Sequence, residues 1–417
     1  MRNLIVLIIL LFSCTAFTQN LSEHEQFKKD STFLAWQKKW HLMALENQRM
    51  LFQMLDTIKP DSLTVLNARS AALDKIPDLT AFKAIEKIDF SNNAFSTIKL
   101  GRNFKQNLKH INLESNKLEK VRLRKFDSLD IISLHRNELK RIPSSIRKQK
   151  QLKVLDLSNN KIKHIPRFIK RLDSLQEINL NHNQLNFNRR TARRLAHIER
   201  VLVGGNNISQ LPNNIDVMHG VERLNLGDNQ LSDLPPAFSD LNNLRSVIFY
   251  KNHFDTFPEE ILQLTKLQEL DFYHNKLKII PKEIVNLSQL KQLFLAYNQL
   301  EALPDEIQRL KSLRYFYVHH NRLPVFPDWI AKMTQLERLD LGFNVLSNIP
   351  DLSGLVNLTD LDLQANLIGY FPWHLLQMKQ LNLLILGDNP FELTAAERQQ
   401  LKEIQAVMNQ EGKNLTF

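Results

Sequence analysis

The sequence predicts an α/β fold: a right-handed solenoid bent into a horseshoe, with a concave parallel β-sheet and helical end caps. Three observations predict it. A nine-residue pattern, LxxLxLxxN, returns along most of the 417 residues. A proline follows its asparagine at a fixed offset. Each end of the patterned region abuts a stretch that opens with a capping box and continues as a helix.

The pattern reads as LKHINLESN at 108–116, LKVLDLSNN at 152–160, LKQLFLAYN at 290–298 and LERLDLGFN at 336–344. Its asparagines are Asn93, Asn116, Asn137, Asn160, Asn183, Asn206, Asn229, Asn252, Asn275, Asn298, Asn321, Asn344, Asn366 and Asn389. Eleven of the thirteen intervals are 23 residues, so a single structural unit recurs. Six positions after ten of these asparagines stands a proline: Pro143, Pro166, Pro212, Pro235, Pro258, Pro281, Pro304, Pro327, Pro350 and Pro372. Pro77 keeps the same offset from Ala71, which makes 63–71 a degenerate first unit and gives about fifteen repeats.

Within a unit, the leucines at the fourth and sixth places alternate with solvent positions, as one short half-buried strand requires. Stacked units pair these strands in parallel, and the proline-led stretch returns the chain along the other side. One unit cannot bury its own apolar face, so the stack is the folding unit. The asparagine side chains are expected to bond backbone groups inside the turn, as a structural ladder and not as chemistry.

These residues resemble the leucine-rich-repeat family over roughly residues 60 to 392. The second half LPxxIxxL (Leu303, Pro304, Ile307, Leu310) is similar to the subclass that includes cytosolic Ras-binding scaffolds. A bacterial ubiquitin-ligase subclass has shorter repeats and a cysteine-bearing domain, neither of which occurs here. Departures from the pattern are Lys99, Arg122, Arg189 and Ala395 in place of proline, and Ala71 in place of asparagine. No phosphate loop, nucleophile motif or metal signature appears anywhere in the sequence, so a non-enzymatic chain without a cofactor is expected.

The two ends differ from the repeats. Arg2, an apolar run from Leu4 to Phe12 and the small residues Ser13 to Ala16 read as a signal peptide over 1–18. Two processing routes fit. Cleavage after Thr18 frees a chain starting at Gln19, exported to the periplasm or secreted; alternatively 11–14 resembles a lipobox, with the protein anchored through Cys14. Cys14 is the only cysteine, so the mature chain forms no disulfide. Extracellular eukaryotic members of the family usually carry cysteine-rich caps, so their absence points to bacterial export. Residues 19–60 are expected to form an N-terminal helical cap. It opens at the capping box Ser22 to Glu25 and is anchored by Phe27, Trp36, Trp40 and Leu51. The solenoid spans 61–392. A second capping box, Thr394 to Glu397, opens a C-terminal helical cap over 393–417, helical through about Met408.

Places three, five, seven and eight of the pattern face outward on the concave side. Over fourteen repeats these columns hold about 13% of the chain, so chance would put about one of the six tyrosines there. Five are there, in four consecutive repeats: Tyr250, Tyr273, Tyr297, Tyr315 and Tyr317. Phe294, Phe343, His274, His319 and His320 share the columns, with Ile248 and Lys251 beside them. Strand spacing gives a patch of roughly 20 by 15 Å, on the order of 300 Å², the size of the largest patch on a typical monomer. It suits the centre of an interface with a polar rim. The expected ligand is a protein, peptide or glycan; the competing reading is that the rings stack on one another and stiffen the sheet.

Other sites are set aside. His319 and His320 suggest metal, but neighbouring strand residues diverge and no thiolate is available, so no metal is expected. Asp340 and Asp362 lie at place five of adjacent strands, about 5 Å apart, a spacing that suits a retaining glycosidase. A shallow face with no enclosed pocket argues against catalysis. Charge is uneven: residues 99–200 hold 26 Lys and Arg against nine Asp and Glu, whereas the whole chain carries +11. The alternative function is therefore an envelope-associated structural protein touching anionic lipid or polymer through this block. Nucleic acid is not expected, because the aromatics lie in other repeats. A monomer is expected.

Overall fold

The computed structural model describes residues 31–101 and 107–417. The signal-peptide segment, Cys14, the capping box at 22–25 and Phe27 lie outside the described residues. Sixteen strands of three residues form one open parallel sheet, from Val65–Asn67 to Asn414–Thr416. In each strand the middle side chain points into the core while at least one of its flanks looks outward, so the concave face is made of flanks. The register never slips: Leu293 pairs with Phe316 and Phe316 with Leu339, so equal places of the repeat line up in straight columns.

The return side is set by proline. Pro143, Pro166, Pro235, Pro258, Pro281, Pro304, Pro327 and Pro372 each immediately precede a five-residue 3-10 helix, such as Asp305–Arg309. The ring fixes φ near the required value and its missing N–H needs no partner there. Each of these helices turns at least one apolar residue into the core, for example Ile146, Ile284 and Ile307.

Where proline is absent, the chain returns differently. Lys99 and Arg122 lie in strands Thr97–Leu100 and Lys120–Leu123, which pair as a small second sheet on the convex side. Arg189 begins helix α2 (Arg189–Leu195), whose first turn is capped by the Asn188 side chain accepting from the Arg190 and Thr191 N–H groups. Ala395 begins helix α3 (Ala395–Gln410), where Thr394 and Glu397 form a reciprocal capping box. Helix α1 (Ser31–Thr57) lies at the other end.

The caps depart from expectation in two ways. Trp40 does not anchor α1: it is 45% exposed, and contact with the core is made lower down by Leu51, Met54 and Leu55. At the other end the chain does not finish as a helix. After α3 it turns at Gly412 and adds Asn414–Thr416 to the sheet, with Leu415 fully buried. This last strand takes its place in the sheet without a leucine-repeat motif.

The asparagines bond across repeats as well as within the turn. Asn298 Nδ2 donates to the carbonyls of Leu295 (2.9 Å) and Ala296 (3.2 Å), and to Phe272 of the preceding repeat (2.9 Å). Its Oδ1 accepts from the Leu277 N–H, also in the preceding repeat (2.9 Å). Asn116, Asn137, Asn321 and Asn344 repeat this arrangement.

Candidate functional site on the concave face

Just before each asparagine the chain turns through the left-handed region, with φ between 51° and 59° at Asn92, Ser115, Asp228, Ala365 and Asp388. Small or polar residues suit that backbone. In four successive repeats it is held by large rings instead: His274, Tyr297, His320 and Phe343. Their rings stack in a continuous row. His274 and Tyr297 lie 4.1 Å apart, Tyr297 and His320 3.8 Å, and His320 and Phe343 4.0 Å, with planes within 22° of parallel.

Place seven supplies a second layer against this row. Tyr250 packs on Tyr273 (5.6 Å), and Tyr273 packs on Tyr297 (5.1 Å) and on His319 (5.6 Å). The intervening place-seven residue, Ala296, is fully buried beneath these rings. His319 and His320 converge rather than diverge, with their Nδ1 atoms 2.8 Å apart in a hydrogen bond. That corrects the geometry assumed for them. No group of three or more His, Cys, Asp or Glu suited to holding a metal occurs among the described residues.

Place five supplies a separate stack in the middle of the sheet. Phe294 and Tyr317 lie 5.0 Å apart and within 7° of parallel. Asp271 precedes them in the column and Asp340 and Asp362 follow. Tyr315 does not join the other rings. Its hydroxyl donates to Glu337 Oε2 (2.9 Å), and the Arg338 guanidinium sits over its ring at 5.8 Å, on the opposite edge of the sheet. The ten predicted residues thus form a stacked edge, a central pair and one outlying tyrosine.

Burial shapes the charges here. Desolvation, reinforced by the neighbouring His320 and His274, holds His319 down to about 4, so it is neutral at physiological pH. Desolvation also lowers His274, helped by the Lys251 cation, and His320, helped by His274. Burial pushes Asp271 up to about 6; burial with Asp362 beside it pushes Asp340 up to about 7. His319 Nε2 lies 3.7 Å from Asp340 Oδ2, yet with the imidazole neutral this is not an ion pair. Desolvation, then the adjacent Tyr297 and Tyr250, raise Tyr273 to about 12.

The aspartates have structural work. Asp271, Asp340 and Asp362 accept the N–H of Tyr273, Gly342 and Gln364 respectively, and Gln364 Nε2 also donates to Asp362. Asp156 accepts from the Ser158 N–H in the same way four repeats before the aromatic patch begins, so the arrangement belongs to the repeat. A groove of about 750 Å³ runs along the asparagine edge from Asn137 to His253 and ends at Lys251, beside Tyr250. Sequence reasoning missed this polar groove, since no motif marks it. The left-handed row was also missed, because its usual signature is Gly or Asn.

A family model described as leucine rich repeat matches residues 127–185, 250–300 and 266–323, and a second of the same description matches 220–241. A solved leucine-rich-repeat protein of Leptospira interrogans is similar at 27% identity and TM-score 0.63, covering 86% of this chain and 84% of that one. An internalin of Listeria monocytogenes shares the fold at 21% identity and TM-score 0.57, covering 69% of this chain and 80% of that one. The plant peptide hormone receptor RGFR1, solved in complex with RGF2, is 25% identical with TM-score 0.53. That match covers 79% of this chain and 60% of the receptor chain. No curated protein matches the sequence.

Proposed function

The chain is a leucine-rich-repeat protein, and we propose that it is an exported, non-enzymatic recognition module whose concave face holds an extended segment of a peptide or protein. The observation that carries this reading is the half-buried Phe294–Tyr317 stack, in mid-face beside the stacked edge, with none of the described elements lying over it. Flat rings with polar tips on a rigid sheet give contact area with little ordering cost. The strand residues between them are fully buried, so the face needs no rearrangement to bind. The groove leading up to Tyr250 extends the track with amide and imidazole groups suited to a ligand backbone. A similar protein, the plant receptor above, is found with a ligand, which accords with a ligand here.

Catalysis is not part of the proposal. The three half-buried aspartates on this face accept backbone N–H groups of their own repeats, which accounts for them as turn formers.

The test is capture from a displayed random-peptide library and a glycan array by residues 19–417, beside a Phe294→Ser/Tyr317→Ser variant. Both side chains are at the surface, so circular dichroism of the variant should match the native chain. Binders retained by the native chain and lost by the variant support the proposal. Equal capture by both would sink it, and capture of glycans alone would replace peptide by sugar as the ligand.

A further inference from the structure

We propose that the convex face of the early repeats is a docking surface for a flexible, linear polyanion. Five successive elements make up that face: strands Thr97–Leu100 and Lys120–Leu123, the 3-10 helices Ser144–Lys148 and Arg167–Arg171, and α2. They carry one, two, two, three and four basic residues respectively, twelve in all, and no Asp or Glu. The next seven 3-10 helices on the same side, from Ile215–Met218 to Trp373–Gln377, carry eight acidic residues and three Lys or Arg. One continuous face therefore changes sign at a single point, just after α2.

The basic half is uncompensated. Among the described residues none of the twelve lies within an ion pair, and all but Arg194, which donates to the Ile165 carbonyl, are exposed. Lys99 and Arg122 stand directly opposite each other in the small sheet, an arrangement of like charges that lowers stability. Neighbouring elements lie against one another, so the charges form a continuous strip along the solenoid. A strip of one sign concentrates counter-ions of the other and steers a charged partner onto it.

Shape selects the partner. The strip curves outward along the solenoid, so a planar bilayer would touch only part of it, whereas a flexible chain can follow its length. Membrane-surface binding also uses apolar side chains inserted between the charges. Here the alternate positions, Ile98, Val121, Ile146 and Ile169, are buried in the core. No exposed aromatic ring lies on these elements to stack a base. The chemistry left is that of a sulfate- or phosphate-bearing polymer.

Fluorescently labelled heparin and long-chain polyphosphate serve as probes, with phosphatidylglycerol vesicles as the third arm. Binding of the full mature chain is measured by anisotropy or co-sedimentation at 50 and 500 mM salt. Arg147→Glu/Arg167→Glu/Arg190→Glu reverses three charges of the strip. Lys282→Glu/Arg309→Glu/Lys332→Glu makes the same change of net charge on the acidic half. The expected result is that at least one polymer binds, weakens by about tenfold or more at the higher salt, and is lost with the first variant but retained by the second. Which polymer binds identifies the anionic group. Equal loss in both variants, binding to vesicles but to neither polymer, or no binding at low salt would overturn the proposal.

Discussion

Four consecutive repeats hold His274, Tyr297, His320 and Phe343 in the left-handed region, where a side chain of that size costs on the order of 1 kcal/mol or more. Each stacking contact in the row returns about 0.5–1.5 kcal/mol. The two effects nearly cancel, so the row adds little to stability, and stiffening of the sheet is a weak reason for rings at these positions. Tyr297→Asn, which suits the backbone but breaks the row, is therefore expected to change unfolding free energy by less than about 1 kcal/mol. Urea denaturation checks this, and a loss of several kcal/mol would restore the stiffening reading. Asp340 offers a second test. Its carboxyl is raised to about 7 by burial and by Asp362, so the folded state keeps a proton that the unfolded state releases near pH 4. Stability from this group is present below that unfolded value and is lost as pH rises through about 7. His319, held down to about 4, acts oppositely: its contribution is lost as pH falls from about 6.5 to 4. Asp340→Asn keeps the acceptor for Gly342 N–H and removes the charge. Its melting temperature should match the native chain near pH 4 and exceed it at pH 8; a lower value at pH 8 would contradict the assignment.

At the scale of elements, the repeats were legible in the sequence because one spacing governs both strand and turn. LxxLxLxxN fixes which residues face the core, and proline fixes where the 3-10 helix begins. The four prolines missing from the pattern were visible as irregularities, but not what replaces them. Lys99 and Arg122 sit in strands that pair only with each other, a choice set by long-range contact rather than by local preference. The closing strand Asn414–Thr416 was illegible for the same reason: its pairing with Leu383–Ile385 is made by the partner, not by its own three residues. Trp40 was misplaced because apolar spacing marks a helix face without saying which of its residues meet the core. Gln149 shows how one side chain joins two kinds of element. It is fully buried where the next repeat has Leu172. Its amide donates to the Arg124 and Ser145 carbonyls and accepts from the Phe126 N–H, between the small convex sheet and the 3-10 helix Ser144–Lys148. Gln149→Leu keeps the volume but orphans these groups, and is expected to cost about 2 kcal/mol, read as a lower midpoint in urea. An unchanged midpoint would mean that water replaces the amide.

As a whole molecule, the solenoid separates two surfaces that share no residue. The concave face carries stacked rings about a neutral His319; the convex face of the early repeats carries uncompensated cations. Their position on the strands was legible, since period-two alternation assigns faces without a structure. Their grouping was not. Tyr315 shares its strand with Tyr317 but bonds Glu337 at the far edge, whereas Phe294 and Tyr317, from different repeats, form the central pair. The most direct measurement is hydroxyl-radical footprinting of the native chain, free and saturated with a library-selected peptide. Strong protection of Phe294, Tyr317 and Tyr250, with unchanged labelling of α1 and the convex face, is the result expected for concave recognition. A peptide that binds while those three rings stay as reactive as in the free chain would contradict it.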